Sequence, residues 1–137
     1  MPSDSHVLAR AVARLNRRLR QERRSELTAS QLSALGAIHQ LGLPTPSQVA
    51  VYERVQPPSM TRTLNGLADL GFIERSPHPD DGRQSIVTIS PKGAAALAAE
   101  RERRDAWLHE QLAHLTAEER KILRDAAALL QRLAEAE

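Results

Sequence analysis

Residues 71–93 read GFIERSPHPDDGRQSIVTISPKG. Two β-like runs, Phe72–Arg75 and Ser85–Ile89, flank a polar loop that carries two prolines and the triplet Asp81-Gly82-Arg83. Short runs of β-branched and aromatic residues bounded by turn formers predict a hairpin. A lone hairpin is marginal in water and must lean on other elements. Everything around this one reads as helix, and its tip offers an arginine rather than an apolar side chain.

Immediately upstream, Thr45-Pro46-Ser47-Gln48 combines an N-cap threonine, a proline at the first helical position and a glutamine three residues after the cap. The helix it opens is short, turns Val49 and Ala50 inward and is spent by about Glu53. After a turn through Arg54–Gln56, Pro57-Pro58-Ser59 opens another, with Met60, Leu64 and Leu67 as its buried stripe and Gly71 as its stop. A short helix, a tight turn and a second helix directly before a hairpin make a helix-turn-helix followed by a wing. Further upstream, Thr28 caps a helix that buries Leu32, Leu35 and Ile38 and ends at Gly42. Before it, Leu8, Val12, Leu15 and Leu19 form the stripe of an amphipathic helix predicted to end near Arg24–Ser25.

Downstream, Ser90-Pro91 caps a long helix running from Lys92 to about His114. A capping box at Thr116 to Glu119 then starts a last helix with Ile122, Ala126, Leu129 and Leu133 on one side. The expected class is mainly α: a winged helix-turn-helix of about six helices with a two- or three-stranded β-wing. The 137 residues suit a single domain. Absence of cysteine removes disulfides, thiol switches and thiolate metal sites. No long apolar segment or signal-peptide pattern is present, so a cytoplasmic, nucleoid-associated protein without membrane contact is expected.

The net charge of +2 says little about nucleic acid, but the basic residues are nearly all arginine, with lysine only at Lys92 and Lys121. Arginine forks match phosphates and guanine edges better than lysine does, although a GC-rich genome would enrich arginine as well. Three aromatics, Tyr52, Phe72 and Trp107, are too few for a single-strand stacking platform. On the Pro58–Leu70 helix, Ser59, Thr61, Arg62, Asn65 and Gly66 are read as facing away from the core. An arginine can fork onto guanine and an asparagine onto adenine; an ordinary solvated face is the alternative. In the wing, Asp81 and Arg83 stand two apart, on one side of an extended chain, so the carboxylate can hold Arg83 outward toward a minor groove. Ordinary turn composition is the alternative there. Histidines 6, 39, 78, 109 and 114 lack metal-ligand spacing, and no nucleophile elbow, glycine-rich loop or carboxylate pair is visible. Neither an enzyme nor a metal or other cofactor is expected.

The segment from Ala50 to Gly93, including VQPPSMTRTLNGLADLGFIERSPHPDDGRQSIVTISPKG (residues 55–93), resembles the MarR family of winged helix-turn-helix transcription regulators. The opening Leu27-Thr28-x-x-Gln31 and the two-helix tail extend the likeness over nearly the whole chain. The resemblance implies one MarR-like domain over 1–137, with a DNA-binding lobe at 28–91 and dimerisation helices at 5–25 and 92–137. It implies a homodimer that places recognition helices in successive major grooves of a pseudo-palindromic operator and wings in the flanking minor grooves. Ser47, Gln48, Pro58, Ser59, Thr61, Arg62, Asn65, Arg75, Asp81, Arg83 and Gln84 are then the DNA-binding set, with Arg83 the wing finger and Ser47 and Gln48 on phosphate. Leu8, Val12, Leu15, Leu19, Leu115, Ile122, Leu129 and Leu133 form the dimerisation set. The expected function is a repressor relieved by a small aromatic or phenolic effector, with Arg17, Arg20, His39 and Trp107 lining its pocket. Three departures stand out: Arg54 occupies a turn position where relatives often have glycine, Gly66 replaces a bulkier residue, and the missing cysteine removes the peroxide sensing used by one branch of the family. A winged-helix protein-interaction module without DNA binding is the alternative function.

Overall fold

The computed structural model describes residues 1–22 and 25–137. In chain order the elements are α1 (Asp4–Gln21), α2 (Ala29–Leu41), α3 (Pro46–Glu53), α4 (Pro57–Asp69), β1 (Ile73–Pro77), β2 (Ser85–Ile89), α5 (Pro91–Ala113) and α6 (Ala117–Ala134). Helix α1 closes at Gln21 with Glu22 as its C-cap. Arg23 and Arg24, within the stretch where the sequence places its end, lie outside the described residues. Four hydroxyls cap helices as expected: Thr28, Thr45 and Thr116 complete capping boxes with Gln31, Gln48 and Glu119, and the Ser90 side chain accepts from Gly93 N.

Helix α2 is the centre of the lobe and packs against α3, α4, β2 and α5. Leu35, Ile38, Val49, Leu64, Leu67 and Val87 are fully enclosed, with Phe72 and Leu97 close behind. The wing is a two-stranded antiparallel sheet in which Ile73 pairs with Ile89 and Pro77 with Ser85. Val87 N–H also donates to Pro44 O at 2.9 Å, so the α2–α3 link is bonded to the sheet along β2. β1 starts one residue later than the sequence suggests because Phe72 N–H is taken by Leu67 O, at 2.9 Å, in the turn that ends α4. That turn passes through Gly71 at φ 80°, where a side chain would be strained.

A dense corner joins α4, the wing and α5. Ser90 Oγ donates to Gly71 O at 2.6 Å, Ser90 N–H donates to Phe72 O at 3.0 Å, and Lys92 Nζ donates to Leu70 O at 2.7 Å. The Lys92 ammonium also lies 4.8 Å from the centre of the Phe72 ring. Gly93 faces this corner, and a Cβ there would stand 2.0 Å from Phe72 O. Helix α5 can sit this close to the wing only because residue 93 has no side chain.

Among the described residues no helix is long and apolar enough to cross a membrane. No group of histidines and carboxylates among them has metal-site geometry.

Candidate nucleic-acid interface

Helix α4 buries Met60, Leu64 and Leu67, so the helical period carries Thr61, Arg62 and Asn65 outward, with Ser59 half-buried in its first turn. Pro58 is exposed beside them, as are Ser47 and Gln48 at the start of α3. Gln48 has local work: its Oε1 accepts from Thr45 N–H at 2.9 Å, which leaves its amide nitrogen for another partner. Gly66 corrects the sequence reading. It does not belong to the outward face, because a Cβ there would meet Gln31 Nε2 of α2 at 2.8 Å. The position faces the end of the Gln31 side chain on α2.

The outward side chains are held in defined poses. Thr61 Oγ1 donates to Pro57 O at 3.0 Å, and Arg62 Nη2 donates to Ser59 Oγ at 3.2 Å. Arg75 Nη2 donates to Asn65 Oδ1 at 2.7 Å, which joins β1 to α4. Arg75 shares a strand face with buried Ile73 two residues earlier, but it lies where that face has left the core and overhangs the helix. The polar face of α4 and the base of the wing therefore stand side by side.

The wing tip is a turn, not continuous strand. Asp81 Oδ1 accepts from Arg83 N–H at 3.1 Å and from Arg83 Nε at 3.4 Å. The carboxylate thus braces Arg83 as expected, but through an Asx-type turn rather than through strand alternation. Arg83's side chain stays 93% exposed. Gln84 closes the loop with its backbone: its N–H donates to Asp81 O and its carbonyl accepts from His78 N–H, both at 3.0 Å. His78 has a role the sequence did not signal. Its Nδ1 accepts from the N–H groups of Asp80 and Asp81 at 3.1 and 3.2 Å, so the imidazole organises the tip.

The turn between α3 and α4 is not remodelled around Arg54. Arg54 takes the left-handed conformation, φ 55° and ψ 44°, as the one non-glycine with positive φ among the described residues. Its Nη2 donates to Ala136 O at 3.2 Å, linking this turn to the end of α6.

Among the described residues of one chain, none of the grooves along α1, α2 and α5 gathers the residues assigned to an effector pocket. Arg17 and His39 are exposed, Trp107 lies beneath Arg18 with 5.2 Å from guanidinium to ring centre, and Arg20 lines a groove with Ser33, Glu53 and Met60. A cleft of about 230 Å³ does open between α2 and α5, lined by Leu32, Ser33, Gly36, Leu97, Glu100, Arg101 and Arg104. Glu100 is buried there; its Oε1 meets Arg103, and its Oε2 has no partner among the described residues.

Helices α1 and α6 bury no residue within the chain. Leu8, Val12, Leu15, Ile122, Leu129 and Leu133 are exposed, while Leu19 and Leu115 are half-buried. Leu8 and Val12 of α1 face Leu130 and Leu133 of α6 across an open apolar groove.

Residues 27–85 match the model of the MarR family. An uncharacterized HTH-type transcriptional regulator of Mycobacterium bovis is 50% identical over 124 residues, covering 90% of this chain and 87% of the relative. The crystal structure of a putative transcriptional regulator from Pseudomonas aeruginosa superposes with a TM-score of 0.84 at 35% identity, over 99% of this chain and 100% of that one. A mutant of MarR from Escherichia coli gives 0.83 at 25% identity, over 98% of each chain.

Proposed function

Since the chain belongs to the MarR family of winged helix-turn-helix transcription regulators, we propose that it represses transcription as a homodimer on a pseudo-palindromic duplex, and that a small aromatic acid relieves it. The Arg75–Asn65 bond carries this reading, because it sets the polar face of α4 and the wing on one side of the lobe. A helix in a major groove then leaves the wing over the adjacent minor groove, where Arg83 is exposed to meet concentrated negative potential. Ser59, Thr61, Arg62 and Asn65 address base edges, Pro58 lies against them, and Ser47, Gln48 and Gln84 meet backbone phosphate. The α4 face bears no glutamate or lysine, which suits a groove better than bulk water.

Dimerisation follows from the uncovered leucines and valines of α1 and α6. Such a run of exposed apolar side chains on two helices marks an interface. The effector site is best assigned to the α2–α5 cleft, where Arg101 and Arg104 suit a carboxylate held away from the buried Glu100 oxygen. It lies on the boundary between the lobe and the long helices, so an occupant there biases the spacing of the two recognition helices.

The test is equilibrium binding to duplex DNA at two salt concentrations, alongside sedimentation of the free protein. Phosphate contact requires a steep loss of affinity with salt, since each neutralised phosphate adds about 0.9 to the logarithmic slope. A dimer that binds no duplex even at low salt overturns the reading in favour of a protein-interaction module.

A further inference from the structure

We propose, resting on the DNA-binding reading above, that Arg75 is a positioning residue that sets the base preference of Asn65, so that the pair selects guanine over adenine at the base pair beneath it. An unrestrained asparagine reads adenine in the major groove with both ends of its amide: the oxygen accepts from N6 and the nitrogen donates to N7. Here the oxygen is engaged. Arginine has donors and no acceptor, so the amide atom 2.7 Å from Arg75 Nη2 is Oδ1, and Nδ2 points away from the wing. The amide cannot flip without setting two donors against each other.

That bond changes what the amide offers. A charge-assisted bond from a guanidinium is among the stronger hydrogen bonds available to a neutral amide oxygen. Adenine N6 could use only the second lone pair of Oδ1, and to do so its amino group would have to approach a cation. Guanine presents O6 and N7, both acceptors, and meets Nδ2 of Asn65 as donor, with no competing acceptor on the Arg75 guanidinium behind it. Nearby side chains reinforce the sign. Arg62 adds further donors while its own guanidinium is steadied by Ser59, and among the described residues no carboxylate is hydrogen-bonded to Arg62, Asn65 or Arg75. The specificity of α4 is thus edited by a residue outside the helix, on the first strand of the wing.

The experiment sequences the bound fraction from a pool of duplexes randomised across the half-sites, using the full-length parent and the variants Asn65→Ala, Arg75→Ala and Arg75→Lys. Their melting temperatures are compared with the parent's as a check on folding. Asn65→Ala identifies the base pair concerned as the one whose selection it flattens. At that pair the parent is expected to favour guanine over adenine by about five- to tenfold, the lower part of the range for one base contact. Arg75→Ala frees Oδ1 and is expected to move the preference to adenine. Arg75→Lys keeps a cationic donor and is expected to retain guanine. A parent that already selects adenine, an Arg75→Ala variant that keeps the parental preference, or an Asn65→Ala variant that flattens nothing overturns the proposal while leaving DNA binding intact. A parent that enriches no duplex overturns the underlying DNA-binding reading, and this one with it.

Discussion

Replacing Arg83 by alanine is expected to separate binding from folding. Its side chain is 93% exposed and its ion partner, Asp81, is only 3.4 Å from Nε at the tip of a loop. An exposed pair of this kind contributes about 1 kcal/mol or less to stability, so the melting temperature should stay near the parent's. In the proposed dimer two wings are altered at once. Each lost cationic contact lowers the logarithmic salt slope by about 0.9, and the two together lower it by about 1.8. Between roughly 50 and 200 mM salt, a fourfold change, that difference compresses the deficit of the variant by about twelvefold. The deficit is therefore expected to be large at low salt, about 30- to 100-fold, and to shrink to less than about tenfold at high salt. Fluorescence anisotropy with a labelled duplex over a salt series measures both lines. Parallel lines for parent and variant, or equal affinities, would refute the placement of Arg83 against the DNA.

Four further outcomes are expected. Gly93→Ala sets a Cβ 2.0 Å from Phe72 O, the acceptor for Ser90 N–H, and should destabilise by about 2–4 kcal/mol, from overpacking and a strained buried hydrogen bond, in a denaturant titration. Arg54→Gly relieves the left-handed backbone at φ 55° but gives up the bond to Ala136 O; the same titration should show a gain of about 0.5–1 kcal/mol, and a loss would mean the bond outweighs the strain. Leu129→Asp with Leu133→Asp charges the exposed stripe of α6 and should yield a monomer by sedimentation that binds duplex far more weakly. Glu119 is held below its ordinary value of 4.5 by hydrogen bonds from the backbone and then the side chain of Thr116. A lowered carboxylate contributes stability that is full above its unfolded value and lost as pH falls through the folded one. Glu119→Gln should therefore remove the part of the acid sensitivity of melting that this group contributes, and an unchanged acid profile would rule it out.

Helix starts are legible in this chain because capping is local. Thr28, Thr45, Ser90 and Thr116 each bond a backbone N–H only three residues away, and a one-dimensional pattern suffices to find them. The Met60, Leu64, Leu67 stripe is legible for the same reason, and it places Arg62 and Asn65 outward. What sequence does not carry is distance between remote residues. Gly66 reads as an outward position because nothing local reveals Gln31 beside it, and Gly93 reads as an ordinary helix residue until Phe72 O is found against it. The Asn65–Arg75 bond depends on how sharply the chain turns at Gly71, which residue spacing does not set. Arg17, Arg20, His39 and Trp107 lie on fitting elements, but no groove described above gathers them. α1 has no buried face within the chain, so its amphipathic pattern alone does not fix its rotation toward α2 and α5.

In the proposed complex two recognition helices and two wings engage one duplex together. Footprinting the purified protein on the DNA immediately upstream of its own coding sequence tests this most directly. Two protected half-sites in inverted orientation are expected, their centres about one helical turn apart, with protection spreading into the flanking minor grooves where the wings would lie. A single unpaired half-site, or no protection at salt low enough to favour phosphate contacts, would contradict it.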